Sequence, residues 1–437
     1  MTLVPITEAE VLAELRTWLD QAWDPDLALV QWRERLVASG WAVPSWPTRW
    51  HGRGLPAWAD KTVADELRSA GVVGPPLGSG MSLAAPTLLE HGSDELNDRV
   101  LLPTLTGALR WCQLFSEPGA GSDLAGLTAT AVRDGEEWVL NGQKVWTTSA
   151  QYADMAILVA RTDWDVPKHQ GISYFVLPMR QIGVEARPIV QMNGHASFNE
   201  VFLTDARIPA ANLVGAAGAG WKIARTTLSH ERTFATMRQP RYTSGEGTPR
   251  RALVEAEAEA AEHFTTYVWY PQRAGRADLV VDRARHAGRN TDPVVRQEIA
   301  RLLSFVRANE WTAARARDAR ALGRPPGPEG SIGKLAASEV ARLSARVHTV
   351  IAGAAGTLTV SEDPVHAIIA EVLVSTPAQS IAGGTDEIQR NIIGENMLGL
   401  PREPVADMDK PFSEVARRSA TSDPNGSPRP YPNGVRA

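Results

Sequence analysis

The sequence predicts an α+β protein in three parts: an N-terminal α-helical domain, a middle antiparallel β-barrel or sheet, and a C-terminal four-helix bundle. Three changes of period predict it. Apolar residues recur at spacings of three and four from about Thr7 to Pro103, at two from about Cys112 to Leu213, and at helical spacing again from Gly220. The expected boundaries are 1–111, 112–219 and 220–412. The tail, 413–437, is polar and rich in Pro and Gly (SDPNGSPRPYPNG) and is expected to be disordered or loosely docked.

The first helix is the clearest. EAEVLAELRTWLDQAW sets Val11, Leu12, Leu15, Leu19 and Trp23 on one stripe, with Thr7 placed to cap it. In the β region, Asn141-Gly142 inside WVLNGQKVW is a hairpin signal, and DMAILVA, ISYFVLP and NEVFLTDARIP read as further strands. After Gly220, Trp221, Ala224, Leu228 and Ala235 share a stripe, and RYTSGEGTP breaks the helical pattern at 241–249. Long amphipathic segments follow, ending in SIAGGTDEIQRNIIGE, as expected of a bundle.

Composition narrows the function. With 437 residues, 43% of them hydrophobic, the chain can bury a substantial core. A net charge of -5 carries no basic excess and argues against nucleic acid as a partner. The single cysteine, Cys112, cannot pair within the chain, which suits a reducing compartment; beside Trp111 and Leu114 it reads as a buried small hydrophobe. The start MTLVPITEAEV lacks a signal-peptide pattern and no apolar run approaches about 18 residues, so a cytoplasmic location without a membrane partner is expected. No metal is expected.

The stretch QLFSEPGAGSDLAGLTATA, Gln113 to Ala131, carries the first chemical signal. Gly119, Gly121 and Ser122 can present backbone N–H groups to an anion, or simply connect two subdomains. It is no Rossmann fingerprint, because the third glycine would fall on Leu124 and no helix-strand alternation follows.

FSEPGAGSD, then NGQKVWTTSA at 141–150, then GGTDEIQRNIIGE occur in an order that resembles the acyl-CoA dehydrogenase family of flavoproteins. The resemblance runs from about Thr7 to Pro404. It implies FAD held non-covalently between barrel and bundle, with a second subunit completing the site. Gln113, Phe115, Ser116, Gly121 and Ser122 would line the flavin, and Trp146, Thr147 and Thr148 would pack along its ring. Gln297 matches a position reaching FAD from a neighbouring subunit. The accompanying arginine is Arg283, Arg285 or Arg289, and spacing leaves the choice open. Val350 and Ala354 stand where the family commonly has Gln and Gly. Thr385, Asp386 and Glu387 fall on flavin-contacting positions at a helix start, where free N–H groups favour phosphate; the plain alternative is an N-cap.

The family's reaction takes the α-proton of an acyl thioester to a carboxylate while the β-hydride passes to flavin N5. The usual base lies in Tyr-Glu-Gly-Thr, which here reads Ala382, Gly383, Gly384 and Thr385, so that carboxylate is absent. The Gly383 N–H remains to bind the thioester carbonyl. In a subset of the family the base is the first residue of a Glu-Arg pair, present here as Glu231 and Arg232. The residues support this independently: Ala224, Leu228, Glu231 and Ala235 share an apolar stripe, where burial raises a carboxylate's pKa and makes it a better base. The plain alternative is an ion-paired carboxylate at the stripe's edge.

Arg232 and Ser122 match positions near the coenzyme A arm. Ala382 and Gly384 border the acyl site, and the small residue at 382 predicts a bulky, branched or ring-bearing acyl group. Electron-transfer flavoprotein is the expected acceptor, and a homotetramer or a heteromer with a related subunit the expected assembly. A non-catalytic or co-catalytic subunit, or a flavin monooxygenase or oxidase on the same fold, are the alternatives.

Overall fold

The computed structural model describes residues 6–233, 250–321, 327, 329–357, 364–404 and 407–415. The chain divides into two compact units. The first holds Met1–Ile189, Ser197–Thr266 and Asp407 onward; the second holds Val190–Ala196 and Tyr267–Ala406.

In the first unit, helix α1 (Glu8–Ala22) begins with a capping box. The Thr7 hydroxyl accepts from the Glu10 N–H at 3.3 Å, and the Glu10 carboxylate accepts from the Thr7 N–H at 2.8 Å. Its stripe Val11, Leu15 and Leu19 is buried against Trp32 and Leu36 of α2 (Leu29–Ala38) and Val63 and Leu67 of α3 (Trp58–Ser69). Helices α4 (Ala85–His91) and α5 (Asp94–Thr106) lead into the sheet.

Among the described residues, eight strands form one sheet: β1 (Trp111–Leu114), β2 (Thr130–Asp134), β3 (Glu137–Thr148), β4 (Met155–Arg161), β5 (Ile172–Pro178), β6 (Val184–Ile189), β7 (Phe198–Pro209) and β8 (Leu213–Val214). Their order is β6-β7-β3-β2-β4-β5-β8, with β1 also on β4. The sheet is not wholly antiparallel as expected. β1 runs parallel to β4, from Trp111 opposite Met155 to Leu114 opposite Leu158, and β2 meets β4 in parallel at Thr130 and Arg161.

The expected hairpin at Asn141-Gly142 is also corrected. β3 runs straight through that pair, and the turn lies between Asp134 and Glu137, at an Asp-Gly pair of the same signal strength. Asn141-Gly142 is instead a register shift against β7. There the Asn141 side chain donates to Asp205 Oδ1 and accepts from the Asp205 N–H, both at 2.9 Å, so its amide serves a neighbouring strand rather than a turn.

β4 and β5 are covered on both faces, which is why their sequences read as unbroken apolar runs. One face packs Ile157, Val159, Tyr174 and Val176 against Leu88, Leu96 and Leu101 and against Ile223 and Ala224 of α6 (Gly220–Thr233). The other packs Leu158, Phe175 and Leu177 against Leu140, Val201 and Leu203. Cys112 sits in this second cluster, and burial pushes its thiol pKa far up, so it is an inert core residue.

Contacts do not follow the boundary expected at 219. Helix α7 (Arg251–Thr265) sets Ala256 into the core of α1 to α3, and buried Arg33 donates to both Glu259 oxygens at 2.6 and 2.8 Å. Helices α6 and α7 therefore belong with the first unit. The chain returns to it at Asp407, and Phe412 and Ser413 are hydrogen-bonded there. The rest of the expected tail, 416–437, lies outside the described residues, as do the expected break at 241–249 and Ala235.

The second unit is helical: α8 (Tyr270–Arg273), α9 (Val280–His286), α10 (Pro293–Ala321), α11 (Glu329–Ala352), α12 (Pro364–Ser375), α13 (Pro377–Ile381) and α14 (Asp386–Asn396). Two of these are long, α10 and α11, and they pack along each other; the shorter α12 and α14 pack on α11, so the described residues show a helical domain centred on α11 in place of four long helices of equal standing. Val280, Ala284, Val295, Leu302, Leu343, Val347 and Ile351 form a core among α9, α10 and α11.

Candidate functional site

The glycine-rich stretch is built around a buried ion pair. Glu117 and Ala120 exchange backbone hydrogen bonds at 3.0 and 3.1 Å, closing a tight loop over Pro118 and Gly119. The buried Glu117 carboxylate accepts from the Thr128 N–H at 2.7 Å, the Thr128 hydroxyl at 2.9 Å and the Ala129 N–H at 2.9 Å. Its fourth donor is Lys144 Nζ at 2.8 Å, from a side chain with no exposed surface that also donates to the Phe115 carbonyl at 3.0 Å. Burial opposes charge on Glu117, but the Lys144 ammonium and the backbone donors outweigh it and hold the carboxyl below its ordinary value. A further bond from the Val145 N–H to the Ser116 carbonyl, 2.9 Å, completes the join between this loop and β3.

Beyond Lys144 the strand is distorted. Trp146 has φ +61° and Ser149 φ +55°, and the register with β7 shifts between Lys144 and Thr147. Left-handed backbone at non-glycine residues costs on the order of 1–3 kcal/mol each and clusters at functional sites. The distortion turns the Trp146 ring outward, 58% exposed, with Phe198 edge-on at 5.9 Å. Next to it, buried Thr147 keeps an Oγ1 with no partner among the described residues, while Asn199 Nδ2 holds its carbonyl at 3.0 Å. Thr148 and Ser116 are half-buried, and Gly121 and Ser122 are exposed. Open space lies where a Cβ on Gly119 or Gly121 would stand.

An open aromatic face, an unpaired hydroxyl beside it and a small-residue loop nearby fit a flat, polar-edged ligand. Gln113 lies in β1, half-buried. Phe115 turns its ring into the core, edge-on to Tyr174 at 5.9 Å, and its carbonyl is taken by Lys144. Glu117, Lys144 and Asn199 were not singled out in the sequence. The available signal was a charged residue within each of two otherwise apolar or glycine-rich motifs.

Helix α6 carries Glu231. At its start, Gly220 lies so close to β5 that a Cβ there would sit 2.5 Å from the Ser173 carbonyl carbon. Midway, the Thr227 hydroxyl bonds those of Thr87 at 3.0 Å and Tyr174 at 2.9 Å, and Thr226 bonds His91 Nε2 at 2.9 Å. Ile223, Ala224 and Thr227 are buried, and Leu228 and Glu231 continue the stripe half-buried. The Arg232 side chain lies outside the described residues.

In the second unit, Ala382 is extended and half-buried, and Gly383 and Gly384 follow with φ +69° and +83°. This is backbone that L side chains rarely adopt, so a glutamate at 383 would be strained whatever the space. Thr385 caps α14, its Oγ1 accepting from the Ile388 N–H at 3.3 Å, and Gln389 Nε2 donates to the Gly383 carbonyl at 3.1 Å. Asp386 turns inward: buried, it pairs with Lys334 at 2.9 Å and Arg342 at 2.8 Å. Burial opposes its charge, but the two cations hold it well below the usual carboxylate range. Glu387 is exposed beside Arg390 at 3.4 Å, and Gln297 is exposed on α10.

Each of the three arginines has a partner. Arg285 lies 3.1 Å from Asp282, and Arg289 pairs with Asp292 at 2.6 Å and donates to the Val350 carbonyl at 2.8 Å. Arg283 donates to His348 Nδ1 at 3.1 Å, so the His348 proton sits on Nε2, facing the Arg276 carbonyl at 3.0 Å. Burial, with Arg283 adding to it, pushes the His348 pKa down to about 4. Unfolding therefore takes up a proton between that value and 6.5, and stability falls as pH drops through this window. His348→Gln is expected to flatten the slope, on the order of 3 kcal/mol, in urea unfolding measured from pH 7 to 4. Ala354 lies in the turn Gly353–Thr357.

Three family profiles match the chain: acyl-CoA dehydrogenase N-terminal domain over residues 5–108, middle domain over 112–206 and C-terminal domain over 270–398. The chain belongs to the acyl-CoA dehydrogenase family. It is an oxidoreductase of that family, which is a family of FAD flavoproteins. Acyl-CoA dehydrogenase IpdE1 of Mycobacterium tuberculosis is 35% identical over 379 residues, covering 85% of this chain and 88% of its own. The IpdE1 of Mycolicibacterium smegmatis is 34% identical, covering 90% and 98%. Among solved structures, the Tcur3481-Tcur3483 steroid ACAD superposes with TM-score 0.62 at 27% identity, over 92% of this chain and 99% of that one. The ChsE4-ChsE5 complex from Mycobacterium tuberculosis gives 0.59 at 27%, over 92% and 100%. No helix among the described residues is long and apolar enough to cross a membrane.

Proposed function

We propose that this acyl-CoA dehydrogenase introduces a double bond between the α and β carbons of a bulky acyl-CoA thioester, with Glu231 as the base. Two separate observations support this reading: within the second unit, the turn at Gly383-Gly384 is left-handed and free of side chains, and within the first, α6 carries a carboxylate on its half-buried stripe. FAD, when bound, supplies the acceptor for the β-hydride at N5. Trp146 offers the wall for its ring, the unpaired Thr147 hydroxyl and Thr148 offer hydrogen bonds to its edge, and Ser116, Gly121, Ser122, Thr385, Glu387 and Gln297 would hold the remainder.

Glu231 takes the α-proton. As that proton leaves, charge moves to the thioester oxygen, and the Gly383 N–H is the donor assigned to it. Ser122 and Arg232 read the coenzyme A arm. The small volume of Ala382 and Gly384 admits a branched or ring-bearing acyl group, which agrees with the likeness to a steroid ACAD. Electron-transfer flavoprotein then reoxidises the enzyme.

Purified protein mixed anaerobically with a panel of thioesters is expected to bleach its flavin faster with ring-bearing acyl groups than with butyryl-CoA. Butyryl-CoA matching or exceeding every bulky thioester would sink the substrate assignment. A second reading, a subunit completed by a related partner chain, is favoured by the two solved neighbours that pair two components, Tcur3481-Tcur3483 and ChsE4-ChsE5. Bleaching that begins only when a partner is added would establish it.

A further inference from the structure

The segment Asp407–Val415 lies past residue 398, where the match to the family's C-terminal domain ends. It lies along the connection between β4 and β5. The Phe412 N–H donates to the Val166 carbonyl at 2.9 Å and the Ser413 N–H to the Trp164 carbonyl at 2.8 Å, while Ser413 Oγ bonds Asp165 at 3.1 Å. Phe412, 5% exposed, lies beside the Trp164 ring at 5.4 Å and caps the Arg161 guanidinium at 3.7 Å.

Arg161 links this segment to the site. It is 1% exposed, and its donors go to three carbonyls: Leu127 at 3.1 Å, Ala125 at 2.7 Å and Lys168 at 3.1 Å. Lys168 in turn grips Asp123 at 2.7 and 2.8 Å. Two cations on the β4–β5 side thus hold the loop that carries Gly121 and Ser122. The planar face of the first is covered by a ring from the far end of the chain.

We propose that Phe412 is a positioning residue: the strap Asp407–Val415 fixes Arg161 and through it the loop Gly119–Leu127, on which the coenzyme A arm is read. The functional half rests on the assignment of Ser122 above; the positioning half does not. Without the ring, Arg161 gains water and its three carbonyl bonds loosen together.

The test is hydrogen exchange on the purified protein, read at the Gly126 and Leu127 amides, which donate to Asp123 at 3.0 Å and Leu124 at 3.1 Å. Phe412→Ala and Phe412→Leu are each expected to speed exchange there about tenfold, whereas Phe412→Tyr, which keeps the ring, restores protection. Phe412→Leu preserves apolar volume and carries the test should the alanine variant not fold. The KM for acyl-CoA is expected to rise and FAD to be held less tightly, because Gly121 and Ser122 are assigned to both, with kcat per bound flavin unmoved. Exchange unchanged in both variants would overturn the strap. Faster exchange with an unmoved KM would uphold the strap and overturn the assignment of Ser122 to the substrate.

Discussion

Glu231→Gln is expected to lower flavin reduction by acyl-CoA by a factor of about 10³ while leaving bound FAD unchanged, because the neutral amide keeps the shape of the side chain and loses only its ability to take a proton. Single-turnover bleaching without oxygen measures this, with the flavin spectrum as the control for cofactor content. The prediction is sharp because the family's other position for a base is vacant here and its backbone, at φ +69°, resists any replacement side chain. A variant that bleaches within tenfold of the wild type would place the base elsewhere.

Lys144→Met is expected to destabilise the protein by about 3–5 kcal/mol, the range seen when one partner of a buried ion pair is removed. The loss is large because Glu117 is left as a buried carboxylate with backbone donors but without its direct ion-pair partner. Urea unfolding checks the size. The double variant Glu117→Gln with Lys144→Met is expected to recover part of it, since the remaining amide carries no charge to strand. Flavin content should fall in the single variant, because the pair joins the glycine-rich loop to the strand carrying Trp146 and Thr147.

The order of elements was legible because helical and strand periods are local properties. The Thr7–Glu10 cap, four residues long, was legible for the same reason. What escaped were features fixed by partners distant in sequence. The Asn141-Gly142 pair looks like a turn until β7 supplies Asp205, 64 residues on, as its partner. Helix α7 reads as part of a bundle until Glu259 meets Arg33, 226 residues away. β1 has no local sign that it will pair in parallel with β4. At the site, the motif glycines, Trp146 and the empty base position were readable from the resemblance. The Glu117–Lys144 pair was not, since nothing in either motif says that its charge is buried. Phe115 shows the limit from the other side: position in a motif does not say which way a ring points, and here the core claimed it.

The closeness of Gly220 to β5 makes α6 a lever with its fulcrum at one end. Glu231 stands eleven residues further on, about 16 Å along the axis. Any tilt that a side chain at 220 gave the helix start would be magnified at the carboxylate, and the threonine bonds midway would be strained with it. The aim of the Glu231 carboxylate, the base proposed here, is set by an atom that position 220 does without.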